Sequence, residues 1–241
     1  MIEYGGIDIK TGVLVAVILF IMAATNVLAY SFGVSYDSTG GLGVNYNSAH
    51  DFANRMKADG WSQKFLWGDS NAWEDDWKDV TKGGGDKNYA DAVDVAFWEG
   101  HGSPGCLCLF SPDDTCVSYD DARWGDWNAE WILAHSCSVL ADDHLSDWAY
   151  KACGYGAHGM CSHKTTCNAC NAGDRMAQLL VAGWTFKDAW FQQHIEKQYT
   201  GCTARVIATD RTKNDKLWNH GGMAVPDPVH GDLWYVWTLT K

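Results

Sequence analysis

Basic residues are scarce in this chain. Eighteen Lys and Arg stand against 30 Asp and Glu, giving a formal net charge of −12, and the Lys and Arg form no cluster. Phosphate recognition needs a basic face, so the balance argues against nucleic-acid binding, and solubility accounts for the acidity. The Gly83-Gly84-Gly85-Asp86 stretch lacks the Gly-Lys-Ser/Thr of a phosphate-cradling loop. The Cys167 to Cys170 pair is followed by Asn171 where covalent haem attachment needs His. Nothing in the middle of the 241 residues reads as a linker, so one α/β domain is expected. Cysteine is missing before residue 106, and all nine fall between Cys106 and Cys202.

The N-terminus sets the expected compartment. Lys10 precedes the weakly polar to apolar run Gly12–Ala24, whose length suits a secretory signal better than a membrane span of roughly 20 apolar residues. Val27 and Ala29 fit a small-residue cleavage site. Residues 1–29 are therefore read as a signal peptide, leaving a mature domain over 30–241 of 212 residues (241 − 29), secreted or at the cell surface. The alternative is an uncleaved anchor, disfavoured by Asn26, with membrane contact through that segment only. In an oxidising compartment the cysteines read as a disulfide framework. Nine is odd: with Cys137 free, the other eight allow four bridges. The 14 Trp read as core filling and sheet cover, with a sugar- or partner-binding surface as the sharper alternative.

Along the chain, Ser31–Tyr36 reads as a first strand, and Asn47 or Ser48 caps a helix through Lys57. Lys64–Trp67 is a short strand, and the acids between Trp73 and Trp77 suit the first turn of a helix. Val93–Trp98 is a short run of β-branched and aromatic residues, hence a buried strand, ending at Gly100-His101-Gly102. A cysteine-bearing irregular stretch, 106–128, leads to a second buried strand, Trp131–Ala134, which delivers Cys137. Leu140–Ala152 has helical spacing, and Cys153–Cys170 reads as a disulfide-stapled loop. Gly173–Gln198 is helical with a break at Gly183-Trp184-Thr185 and Thr185 as a cap. Arg205–Ala208 and Leu233–Leu239 are strands.

Catalytic groups in open parallel α/β sheets collect beyond the carboxyl ends of strands. His101 and Cys137 occupy two such ends. A thiol attacks as thiolate, and a neighbouring imidazole both lowers its pKa and protonates the leaving group. The backbone N–H groups of Gly102 and Cys137 are the expected oxyanion donors. The plainer alternative places His101 in a polar turn and Cys137 in a buried disulfide, and spacing alone slightly favours it. His135, two residues before Cys137, fits a hydrogen-bonded neighbour better than the base.

A hydrophobic strand ending in His-Gly (Phe97-Trp98-Glu99-Gly100-His101-Gly102-Ser103), followed by one ending in a small residue and Cys (Ile132-Leu133-Ala134-His135-Ser136-Cys137), resembles the caspase, legumain, gingipain and metacaspase group of cysteine peptidases. The resemblance implies a caspase-like three-layer α/β sandwich with a mainly parallel central sheet, to which the cysteine count adds a disulfide-rich second half. It also implies His101 as general acid/base, Cys137 as nucleophile, Gly102 and Cys137 as oxyanion donors, and a peptide or protein substrate. Trp67–Glu74, Arg123-Trp124-Gly125 and Glu130-Trp131 also resemble an uncharacterised bacterial and archaeal domain family with the same His-Gly and Cys arrangement. The His101 to Cys137 spacing of 36 (137 − 101) is shorter than the roughly 50 of caspases, and their Gln-Ala-Cys signature is absent. The group is inferred, without caspase specificity. An acid such as Asp69, Glu74 or Asp121 would favour a basic substrate, though each is more often a plain surface acid.

Two other classes compete. Cys161, His163, Cys167 and Cys170 have the spacing of a Cys3His zinc site, with His158 in reserve, but export favours disulfides, so neither structural zinc nor calcium is the preferred reading. A non-catalytic, disulfide-stabilised extracellular domain for structure or ligand binding is the alternative to an enzyme.

Overall fold

The computed structural model describes residues 30–109 and 115–241; the expected signal peptide and Ser111-Pro112-Asp113-Asp114 lie outside the described residues. Seven strands form one sheet: β1 (Ser31–Tyr36), β2 (Ser62–Gly68), β3 (Val95–Glu99), β7 (Trp131–His135), β8 (Gly159–His163), β9 (Thr203–Thr209) and β10 (Trp234–Thr240). Their order is β10-β9-β8-β7-β3-β1-β2. The β2, β1, β3, β7 and β8 pairings are parallel, while β9 and β10 add antiparallel at one edge. A smaller antiparallel sheet, β4 (Gly102–Ser103), β5 (Cys106–Cys108) and β6 (Cys116–Ser118), follows the His101 turn.

Strand residues alternate between two apolar cores, as the period of two demands. Phe32, Val34, Val95, Phe97, Trp131, Leu133 and Val206 pack beneath three helices: α1 (Val44–Ala58), α2 (Ala172–Val181) and α3 (Phe186–Lys197). The α1 face that meets them carries Ala49, Phe52, Ala53 and Met56 at helical spacing. Thr185 caps α3 by accepting from the Asp188 N–H. Phe65, Ala96, Trp98, Ile132, Ala134 and Met160 face the other way. That face is covered by short 3-10 turns, the small sheet, an α turn (Leu145–Asp147) and a π turn (Trp148–Ala152). Most of the fully buried tryptophans sit there: Trp77, Trp98, Trp124 and Trp148. Trp124 and Trp148 stack with centroids 5.5 Å apart, and the Trp148 Nε1–H donates to the Val139 carbonyl at 2.9 Å.

Four expectations change. The acids after Trp73 form a single 3-10 turn, Glu74–Asp76, and Glu74 is buried against Lys78 at 2.8 Å. The Leu140–Ala152 helix is reduced to the short turns just described. The stretch read as a stapled loop contains β8, fully buried and paired on both sides. Its sequence, Gly-Met-Cys-Ser-His, has no β-branched residue to announce a strand; pairing with β7 and β9 overrides composition. Among the described residues one disulfide is formed, Cys106–Cys116, in place of four bridges. Cys108, Cys137, Cys153, Cys161, Cys167, Cys170 and Cys202 are free thiols.

Candidate active site

Strands β3 and β7 are adjacent and parallel with Glu99 opposite His135, so the chain leaves both at the same edge. Gly100 donates to the His135 carbonyl at 3.3 Å. One residue further on, the His101 carbonyl accepts from Cys108 N–H at 3.1 Å and from Trp98 Nε1–H at 3.2 Å. These bonds fix the backbone of His101 while its side chain stays exposed. A methyl group on Gly40 would stand 3.5 Å from His101 Nε2, so the imidazole lies beside the Gly40-Gly41 turn, both of whose residues have positive φ.

Cys137 follows β7 and precedes Ser138, a non-glycine residue at φ 59°. This sharp turn is held by Ser138 N–H donating to Thr165 O at 3.1 Å and Leu140 N–H to His163 O at 3.0 Å. Cys137 Sγ accepts from the Cys167 N–H at 3.3 Å and lies 3.8 Å from Cys167 Sγ. Hydrogen bonding from Cys167 brings the Cys137 thiol down to about 6 against the opposing effect of burial, and the His135 and His101 imidazoles add attraction for the thiolate. The Cys167 thiol is pushed up correspondingly, since the negative charge settles on Cys137.

His101, Cys137, His135, Cys167, Asn45 and Leu42 line one cleft of about 30 Å³, room for a single water. The larger cavity, about 520 Å³ and lined by Lys64, Asp94, Glu130 and Trp218 among others, lies at the amino ends of the strands, away from the thiol. Burial drives Glu130 there up to about 10.

Gly102 and Cys137, the residues named as oxyanion donors from the sequence, are packed against each other. Gly102 lies against the 136–137 segment: a Cβ on it would meet Ser136 Oγ at 2.2 Å and the Cys137 carbonyl at 2.8 Å. His135 is the neighbour anticipated, buried and bonded through Nδ1 to Glu99 Oε1 at 3.1 Å, with Gln198 Nε2 2.9 Å from its Nε2. Burial opposes the imidazolium, but Cys170 and Glu99 outweigh it and push His135 up to about 10. Glu99, also raised by burial, accepts from Ser48 Oγ at 2.5 Å, and Ser48 Oγ in turn accepts from the Gly173 N–H at 2.8 Å. Glu99 and Gln198 escaped sequence reasoning. The one available signal was a lone carboxylate ending an apolar strand, since a fully buried Glu requires a partner.

The acids offered for substrate charge serve the fold. Asp69 accepts from Ser38 N–H at 2.7 Å, Asp121 from Ser118 Oγ at 2.6 Å, and Glu74 pairs with Lys78. The Cys161, His163, Cys167, Cys170 zinc set is not assembled. Cys161 lies in the helical-side core and Cys170 Sγ lies 3.8 Å from His135 Nε2. Among the described residues, donor atoms converge instead in two groups sharing His163: with His135 and Cys167, and with His194 and Cys202.

Residues 30–239 match the family described as domain of unknown function (DUF6345), and the chain belongs to it. No curated protein and no solved structure matches the chain.

Proposed function

We propose that this DUF6345 member is an exported cysteine peptidase or peptidyl transferase of caspase-like architecture, with Cys137 as nucleophile and His101 as general acid/base. The observation that carries the reading is the shared edge: adjacent parallel strands β3 and β7 end at His101 and Cys137, which line one cleft. The Cys137 thiolate attacks the substrate carbonyl carbon, and the resulting oxyanion faces the N–H groups of Gly102 and Cys137. The C–N bond then breaks, the leaving amine takes a proton from the His101 imidazolium, and a Cys137 thioester remains. Water, or an acceptor amine in transfer, attacks the thioester while His101 takes its proton, releasing product and restoring the thiolate. The His135 imidazole, held in place by Glu99, stands behind Cys137 and adds attraction for the thiolate. The test is cleavage of a peptide library by the mature chain with C137S and H101A as controls. Cleavage that vanishes in both supports the reading; equal cleavage in C137S contradicts it.

One observation favours a second reading. Cys137 and Cys167 have sulfurs 3.8 Å apart, so a small movement joins them, and the chain is then a disulfide-stabilised extracellular structural or binding domain.

A further inference from the structure

Next to the cleft, at one end of the sheet, three elements present metal-binding atoms to one another. His163 ends β8, His194 lies in the last two turns of α3, and Cys202 sits just before β9. One donor atom from each lies within 4.8 Å of the others, and all three side chains are buried.

Their hydrogen bonding is incomplete in an informative way. His163 has a backbone contact with Ser136 but leaves at least one ring nitrogen without a hydrogen-bond partner, and His194 Nδ1 has none. His194 Nε2 is engaged by the Cys202 carbonyl at 3.2 Å. That contact places the N–H on Nε2 and leaves the Nδ1 lone pair free, the arrangement by which a ligating histidine is oriented through its other nitrogen. Buried imidazole nitrogens without partners are costly and need an explanation. The alternative grouping around His163 is less suited, because its donors are already used. His135 is held at Nδ1 by Glu99 and at Nε2 by Gln198, and Cys167 Sγ lies beside Cys137 Sγ.

We propose that His163, His194 and Cys202 form a binding site for a zinc ion. Two imidazole nitrogens and one thiolate match zinc, whereas calcium and magnesium take oxygen ligands. Zinc bonds of about 2.0–2.3 Å require the donors to draw slightly closer than they stand. The Cys202 thiol, which donates to the Thr166 carbonyl at 3.1 Å, gives its proton to solvent as the zinc–sulfur bond forms, so binding releases one proton. Three protein donors leave one tetrahedral position to water. The ion ties the end of β8 to α3 and to the start of β9, on either side of the loop that places Cys167 over Cys137. The assignment does not depend on whether Cys137 is catalytic.

Cobalt(II) is the direct probe, because a tetrahedral site with a thiolate absorbs in the visible and shows a sulfur-to-cobalt band in the near ultraviolet. Titrating metal-stripped, reduced mature protein with cobalt(II) is expected to raise both features to saturation at one ion per chain, with zinc displacing them. C202S is expected to lose the sulfur band, H194Q to weaken binding at least tenfold, and C137S to retain the full spectrum. Should C202S fail to fold, the wild-type titration decides alone. No sulfur band in wild type, an unchanged band in C202S, or a band lost in C137S overturns the assignment.

Discussion

Gly102 and Ser136 are packed so closely that a single added methyl group on Gly102 would stand 2.2 Å from Ser136 Oγ. This contact couples the histidine turn to the cysteine turn, because the same methyl would also press on the Cys137 carbonyl at 2.8 Å and on Val139 at 2.8 Å. Gly102→Ala is therefore expected to destabilise the fold by about 1–3 kcal/mol through overpacking and to slow alkylation of Cys137. Thermal denaturation and iodoacetamide kinetics on the same preparation check both effects. Unchanged values in both would mean the two turns adjust independently.

The Cys137 thiol is lowered to about 6, against a usual thiol near 8.5. The lowered value means that the thiolate is the form the fold favours, so alkylation should be half-maximal near pH 6 and flat above about pH 7. Cys153, fully buried in apolar surroundings, is driven the other way and should stay unreactive until the protein unfolds. Rate against pH for each peptide, read by mass analysis, separates the two.

Ser138 holds φ 59° immediately after Cys137, a region in which non-glycine residues cost of order 1–3 kcal/mol. Ser138→Gly relieves that cost and should raise stability slightly, whereas Ser138→Val, β-branched, should lower it by at least about 1 kcal/mol. Denaturant titration of the two variants tests the sign.

Glu130 is raised to about 10 by burial, with Asp94 and Asp227 adding repulsion. Its folded-state value lies above its unfolded one, so its protonated form is favoured by folding. The contribution is complete below about pH 4 and is lost as pH rises from there toward 10. Glu130→Gln should therefore melt a few degrees higher than wild type at pH 8, and the gap should close at pH 4.

Much of the frame was legible in local pattern. Ser31–Tyr36 is the strand expected, and the Thr185 cap and the break after α2 fall where the sequence places them. His101 and Cys137 stand at neighbouring strand ends because two short apolar runs terminate there. What could not be read depends on partners distant in sequence. β8 has no strand composition of its own and exists through β7 and β9. The Glu99–His135 pair joins residues 36 apart across two strands, and Gln198 reaches His135 from the end of α3. Cysteine count suggested four bridges, but a bridge needs two Cα atoms within about 7 Å with facing Cβ vectors, and spacing carries none of that geometry.

The central claim is that Cys137 is an activated free thiol governed by His101. Its most direct test is a thiol map of the non-reduced protein, labelled with an alkylating probe at pH 7 and read by peptide mass analysis, with a His101→Ala variant alongside. Fast labelling at Cys137, slowed in the variant while its fold is intact by circular dichroism, is the expected result. Recovery of Cys137 in a disulfide with Cys167, or labelling indifferent to His101, would contradict the account.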